Sequence, residues 1–364
     1  MKRSLAILLI MAFTGIAFGQ KSKMPNVEKG ECFIYQGHID KYPIALIFEE
    51  FAKEITGRYY YKNIQTAIEI EGSKNDSGYT FKTKYDVNAP ERFALRITDN
   101  ELYGTWVKGQ KKLSVSLARF NNPISIYRLK KSLKSESFKK GSSSELTIKF
   151  TVLWPEDASD FSQKLREDQF KLINEYQYGQ ESATAIKFKQ SIDPRTVQGQ
   201  PQQLISQMQR ISDSMVSQFK RETLSSPDDF LGNREHYIQN SIIFDSDQFT
   251  VIETYHYEYS GGAHGIWGQQ HQTWEKSKSR WATADNKLTS KQLLKLPKLM
   301  TTNHKIALKI PQNQSLKSVG YWIDEFDRPG SDTYFTDRGI HTSFGLYEIA
   351  PYSEGIISVF VPWY

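Results

Sequence analysis

This sequence has a single cysteine, Cys32, in 364 residues. No intramolecular disulfide can form, so the fold must be held by its core alone. Net charge is also in short supply. The formal value is +6, and it falls to about +4 once the N-terminal pair Lys2 and Arg3 is set aside. So mild an excess fits an acidic polymer or membrane surface as a weak partner at most, and it does not indicate nucleic acid. Beyond the first 19 residues no apolar run approaches the ~20 residues that a membrane-spanning helix needs. Also missing are the Gly-x-Ser-x-Gly elbow of serine hydrolases and the i, i+4 histidine pair of a zinc enzyme. No metal and no cofactor is expected.

Aromatic residues are plentiful: 20 Tyr, 21 Phe and 7 Trp. With 38% hydrophobic residues the chain can build real cores, in two or three domains at roughly 100–200 residues each. The start, MKRSLAILLIMAFTGIAFGQ, has a basic head, an apolar stretch and small residues at Ala17 and Gly19. That is the pattern of a secretory signal peptide over residues 1–19, cut before Gln20. An uncut anchor is the alternative, but the apolar run is short for one. No cysteine follows the cut, so a lipid anchor has no support. The expected mature chain is exported, periplasmic or extracellular, with no transmembrane anchor.

The expected fold class is α+β. Residues 20–125 contain short β-type runs such as Ile44–Phe48 and Phe93–Ile97, punctuated by Gly, Asn and Asp, and read as a small antiparallel β domain. Within it, ITGRYYYK and LYGTWVK each place a glycine before aromatics. Inside a strand such a glycine marks a bulge or a close approach. An aromatic face gripping sugars is one reading, and packing inside a small barrel is the preferred one. The basic segment 126–144, with KKSLKSESFKKGSSS at its end, reads as a linker or exposed loop. Residues 145–232 read as a strand followed by two amphipathic helices. The strand alternates Leu146, Ile148, Phe150, Val152 and Trp154. The first helix runs from Asp160 to Tyr178, and the second from about Gln202 to Glu222. Leu204, Met208, Ile211, Met215 and Phe219 fall on one face of the second helix, so its methionines read as core. Residues 190–200 read as a loop. In residues 233–364, Asp245-Ser-Asp247 turns a hairpin, a short helix is capped near Thr289, and two strands close the chain.

The most distinctive stretch is 255-YHYEYSGGAHGIW-267. Paired glycines allow positive φ and a tight path. Metal binding would need His256, His264 and His271 to converge, which their spacing does not favour. Ser260 as a nucleophile lacks the strand-to-helix elbow, with Glu348 and Asp337 as acids only by default. Glycoside hydrolysis would need two carboxylates among Glu253, Glu258, Glu348 and Glu354 at roughly 5–9 Å. The preferred reading is an internal lock, with ligand contact second. A ligand-contacting loop would involve Tyr259, Ser260, Gly261, Gly262, His264, Trp267, Glu348 and Tyr352, with Glu348 and Tyr352 packed near His264.

Two motifs, Tyr259-Ser-Gly-Gly-Ala-His-Gly265 and the 339–355 stretch containing Tyr347-Glu-Ile-Ala-Pro-Tyr-Ser-Glu-Gly355, resemble those of the RsiV/PdaC-type extracellular domain. The resemblance covers roughly residues 140–364. It implies a binding or sensing unit at the cell envelope that recognises peptidoglycan or a wall-active enzyme such as lysozyme. It carries over neither signal transduction nor deacetylation, whose further domains and metal motifs this chain lacks. The expectation is therefore a non-catalytic envelope binding protein. The rival is an envelope hydrolase acting on glycan or peptidoglycan, with the Gly-Gly-Ala-His loop in its site.

Overall fold

The computed structural model describes residues 27–363 except 53, 65, 87, 137–142, 176–200 and 226–231. The expected signal peptide, the expected 190–200 loop and Tyr176 lie outside the described residues. Among the described residues no helix is long and apolar enough to cross a membrane.

Eight strands form an up-and-down antiparallel barrel: β1 (Val27–Ile39), β2 (Tyr42–Phe51), β3 (Glu54–Tyr61), β4 (Ile68–Asn75), β5 (Gly78–Thr83), β6 (Arg92–Thr98), β7 (Glu101–Lys108) and β8 (Lys111–Arg119). Pairing of β1 with β8, from Tyr35↔Arg119 to Ile39↔Val115, closes it. Aromatics fill the interior, with Phe48 packed on Phe33, Tyr35, Tyr79 and Phe81. Tyr59 and Trp106 point inward and are buried, and both bond Glu91. They cannot form an exposed sugar platform. The glycines of the two look-alike motifs serve strand approach. A Cβ on Gly57 would lie 2.3 Å from the Ile47 carbonyl oxygen, and one on Gly104 2.0 Å from that of Ala94.

The expected linker is not one. Residues 126–136 belong to β9 (Ile124–Glu136), and the chain returns as β10 (Ser143–Leu153) in an antiparallel hairpin. The first half of β1 pairs with β9, from Val27↔Leu129 to Cys32↔Ile124. One strand is thus shared by the barrel and a second sheet. That sheet continues through β11 (Arg234–Asp245), β12 (Phe249–Tyr259), β13 (Ile266–Glu275) and β14 (Arg280–Ala282). Only β10–β11 is parallel among its pairs. Its crossover carries helices α1 (Asp160–Glu175) and α2 (Gln202–Ser225). These cover one face, packing Leu165, Phe170, Met208, Ile211, Met215 and Phe219, all buried, over the sheet.

Residues 284–363 add α3 (Ala284–Lys287), α4 (Ser290–Ala307) and a three-stranded sheet of β15 (Asp332–Thr336), β16 (Gly339–Phe344) and β17 (Ile357–Pro362). Helix α4 starts at a capping box in which Thr289 and Gln292 exchange side-chain and backbone bonds. At 18 residues it is longer than the short helix expected.

The α+β expectation is overturned. Strand outweighs helix by 49% to 23%, so the protein is mainly β. The N-terminal part is a closed barrel rather than a small separate domain, and one continuous 14-stranded sheet links it to the rest.

Candidate functional site

Side chains in a strand alternate between faces. Even-numbered residues of β10 and β11, such as Ile148, Phe150 and Ile238, meet the helices. Odd-numbered residues therefore line the opposite, open face. Register sets them in rows: Tyr237 opposite Tyr257, Gln239 opposite Tyr255, and Ser241 opposite Glu253. On β13, Trp267 faces Tyr257, Gln269 faces Tyr255 and His271 faces Glu253. The rings of Tyr237 and Tyr257 stack at 5.4 Å, and those of Tyr255 and Trp267 approach to 6.2 Å. Tyr237, Tyr255, Tyr257, Tyr259 and Trp267 are all partly exposed. The result is an aromatic ladder running along β12 from Tyr255 to Tyr259, about 13 Å.

The barrel closes one end of this face with polar contacts. Ser241 donates to buried Glu49 at 2.9 Å, and burial pushes the Glu49 carboxyl up from its ordinary value. The Tyr60 hydroxyl donates to the Asp245 carbonyl at 3.1 Å. Burial likewise lifts the Asp245 carboxyl to about 6, even with Lys276 at 3.1 Å.

Next to this end lies a buried charge chain that the sequence did not reveal. His271 Nδ1 is 2.5 Å from Asp332, and its Nε2 is 3.3 Å from Glu253. Glu253 also faces Arg58 of β3 at 3.7 Å and accepts from Gln269 at 2.9 Å. Burial opposes charge on His271, yet the bonds to Asp332 and Glu253 outweigh it and raise the ring to about 9. His341, separated from it by the Tyr334 ring, goes the other way. Burial, reinforced by charged His271, pushes it down to about 4.

The Gly-Gly-Ala-His loop closes the far end. Gly261 and Gly262 adopt φ of +101° and +97°, values that favour glycine. The Tyr259 hydroxyl donates to the Gly262 carbonyl at 3.0 Å, and the Tyr352 hydroxyl to that of Gly265 at 2.8 Å. The Tyr352 ring stacks on His264 at 3.9 Å. The ring of Tyr257 lies on Gly265, where a Cβ would overlap it at 2.6 Å. The loop backbone is thus pinned by tyrosines, while Ser260, Gly262, Ala263 and His264 stay exposed. Tyr352→Phe removes one pin. It is expected to cost about 1 kcal/mol and to speed amide exchange at residues 261–265, which hydrogen-exchange mass spectrometry would read.

The structure brings Tyr259, Gly261, Gly262, His264 and Tyr352 together, with Trp267 on the adjoining ladder. Glu348 is occupied elsewhere: it accepts from Gly345 at 2.7 Å, Arg328 at 2.8 Å and Ser331 at 3.0 Å. These bonds outweigh its burial and hold its carboxyl below the ordinary range. Among the described residues Ser260 has no acid–base partner of the kind a nucleophile needs. The nearest His264 contacts are Tyr352, the Gly265 carbonyl and Tyr347. The three histidines of the region do not converge. His256 lies on the opposite face of β12, with Gly268 beneath its ring, and His271 is held by Asp332 and Glu253.

No curated protein matches the chain. A solved structure of a DUF3298 family member from Bacteroides fragilis is 16% identical, with a TM-score of 0.48, covering 66% of this chain and 90% of that one. A second, a DUF3298 family protein from Pseudomonas aeruginosa, is 15% identical with a TM-score of 0.40, covering 66% and 91%. Part of the sequence itself matches a family model. The match begins on β13, just past the Gly-Gly-Ala-His loop, and takes in Tyr352 and the three-stranded sheet: residues 269–364 match the model of DUF3298, described as a protein of unknown function.

Proposed function

We propose that this protein is an exported cell-envelope binding protein that holds a glycan chain of the peptidoglycan type along the open face of its sheet. The observation that carries this reading is the aromatic ladder of Tyr237, Tyr255, Tyr257, Tyr259 and Trp267. Sugar rings present C–H faces that pack on aromatic faces and hydroxyls that need polar neighbours. Tyrosine and tryptophan supply both, which is why they serve at half-wet binding surfaces. The face is open, carries the ladder for about 13 Å, and is bounded by the barrel at one end and the pinned loop at the other. The resemblance to RsiV/PdaC-type domains, whose two motifs meet at His264 and Tyr352, supports an envelope setting. The signal-peptide pattern supports export.

Binding is favoured over hydrolysis by how the carboxylates are used. Glu253 is held by His271, Arg58 and Gln269. Glu348 is held by Arg328, Ser331 and Gly345 with its carboxyl pushed down, the opposite of a general acid.

The test is co-sedimentation of the chain from Gln20 onward with isolated peptidoglycan sacculi, at low and moderate salt. Wild type is expected to be retained at both. Tyr255→Ala with Trp267→Ala should weaken retention about tenfold or more, and His264→Ala by less. Muropeptide profiles should be unchanged. Absent retention, or retention lost with salt, removes wall binding and moves attention to a lysozyme-like protein partner. Released fragments would instead favour the hydrolase.

A further inference from the structure

The open face has a second feature beside the ladder. Between β9 and β12 it sinks into a basin of about 490 Å³, lined by Lys130, Lys149, Thr147, Tyr237, Gln239 and Tyr255 among others. Every charged side chain lining it is a cation. Lys149 and Gln239 also line an adjoining cleft of about 180 Å³ against the barrel, where Arg128, Arg58 and Lys84 meet the carboxylates of Glu49, Glu54 and Glu69. Register explains the grouping: Lys130 lies opposite Lys149, and Lys149 opposite Tyr237.

The charges in this corner are unevenly matched. The carboxylate of Glu54 serves both Arg128, at 2.5 Å, and Lys130, at 3.0 Å. Lys149 lies opposite Lys130 in register, diagonal to Arg128, and is half-buried. No carboxylate stands within ion-pair distance of its ammonium among the described residues. Burial, and after it the charges of Arg128 and Lys130, pull its pKa down, although the more distant carboxylates of Glu54 and Glu49 act the other way. A half-buried ammonium facing two like charges gains most from an incoming anion, because the site is partly shielded from water.

We infer that this basin is a carboxylate subsite: Lys149, flanked by Lys130 and Arg128, pairs with a carboxylate of a glycan whose sugar ring lies against Tyr237 and Tyr255. This deepens the glycan reading above and rests on it. The ligand class becomes an acidic glycan. Its carboxylate sits either on the sugar, as in a uronate or a lactyl ether, or on an attached peptide.

Calorimetric titration separates the cases. The probes are a neutral chitooligosaccharide, a hexuronate oligomer of equal length, and a muramyl-peptide disaccharide. Wild type is expected to bind at least one acidic probe about tenfold more tightly than the neutral one, with the preference shrinking in high salt. The acidic probe preferred shows whether the carboxylate is carried by the sugar or the peptide. Lys149→Met should abolish the preference and leave neutral-chain binding unchanged, while Lys149→Arg should keep it. Equal wild-type affinity for neutral and acidic chains overturns the subsite but leaves the glycan reading standing. So does an acidic preference that survives Lys149→Met. Binding of no probe, by a protein whose thermal melt is normal, overturns both.

Discussion

Replacing His271 with alanine is expected to cost the folded protein about 3–5 kcal/mol, the range for breaking a buried ion pair by removing one partner. The reason is what the change leaves behind. Asp332 and Glu253, with side chains only 11% and 14% exposed, would lose the cation between them. Arg58, at 3.7 Å from Glu253, is too far from ideal geometry to replace it. The chain joins three parts of the fold, since Arg58 is on barrel strand β3, Glu253 and His271 on the main sheet, and Asp332 on β15. The loss should therefore loosen the barrel and the β15–β17 region together. The pH dependence gives a sharper signature. The ring titrates near 9 in the fold against about 6.5 in an unfolded chain. Its folded pKa is raised, so its stabilisation is fully present below pH 6.5. It declines between 6.5 and 9 and is absent above 9. At about 1.4 kcal/mol per pKa unit the decline amounts to about 3 kcal/mol. Urea denaturation from pH 6 to 9.5 should show wild type losing that stability and His271→Ala showing no such slope. Parallel pH profiles would mean that His271 is neutral in the fold.

His271 also shows where sequence reading stops. Its position beside Glu253 follows from strand register, which short-range pattern can suggest. Asp332 lies 61 positions away, and only the tertiary fold delivers it. The same division holds elsewhere. The strand at Leu146–Trp154 and helix α2 were legible because each buries one face, so their apolar residues recur at periods of 2 and 3.6. Residues 126–136 read as linker because β9 breaks the alternation. Its helix-side positions include Lys131 between Leu129 and Leu133, and its open side carries Arg128, Lys130 and Ser132. That open side is where the cationic basin lies, so the charges that hid the strand are the charges of the candidate subsite. Tyr255, Tyr257 and Tyr259 alternate in the sequence and so share one strand face, and the expected packing of Tyr352 near His264 is what the structure shows. Glu348 was not legible, because Arg328 and Ser331 hold it through a fold the local motif does not encode. The sequence reads as α+β because the helices announce themselves strongly, whereas barrel closure rests on β1 meeting β8 some 80 residues later in the sequence.

Phe48→Ala should be comparably damaging, about 3–5 kcal/mol for a large buried ring. Phe48 is fully buried and lies 5.0–5.9 Å from the rings of Phe33, Tyr35, Tyr79 and Phe81. Each such pair adds about 0.5–1.5 kcal/mol beyond area burial. Truncation leaves a cavity that a closed barrel cannot collapse, because its strands are held by neighbours on both sides. The unbroken apolar run Ile44–Phe48 has a cause in the same geometry. Leu46 and Phe48 point into the barrel, while Ala45 and Ile47 pack outward against the core beneath α4 and β15–β17. With β1 also shared between the barrel and β9, the barrel cannot open without exposing the outer core. Damage at Phe48 should therefore spread to the whole chain as one cooperative transition. Single-tryptophan variants would read this, one keeping Trp106 inside the barrel and one keeping Trp154 under the helices. Both reporters are expected to shift to the same lower denaturant midpoint in Phe48→Ala. If Trp106 reports unfolding well before Trp154, the barrel is a separate folding unit, and the shared strand joins the two parts without coupling them.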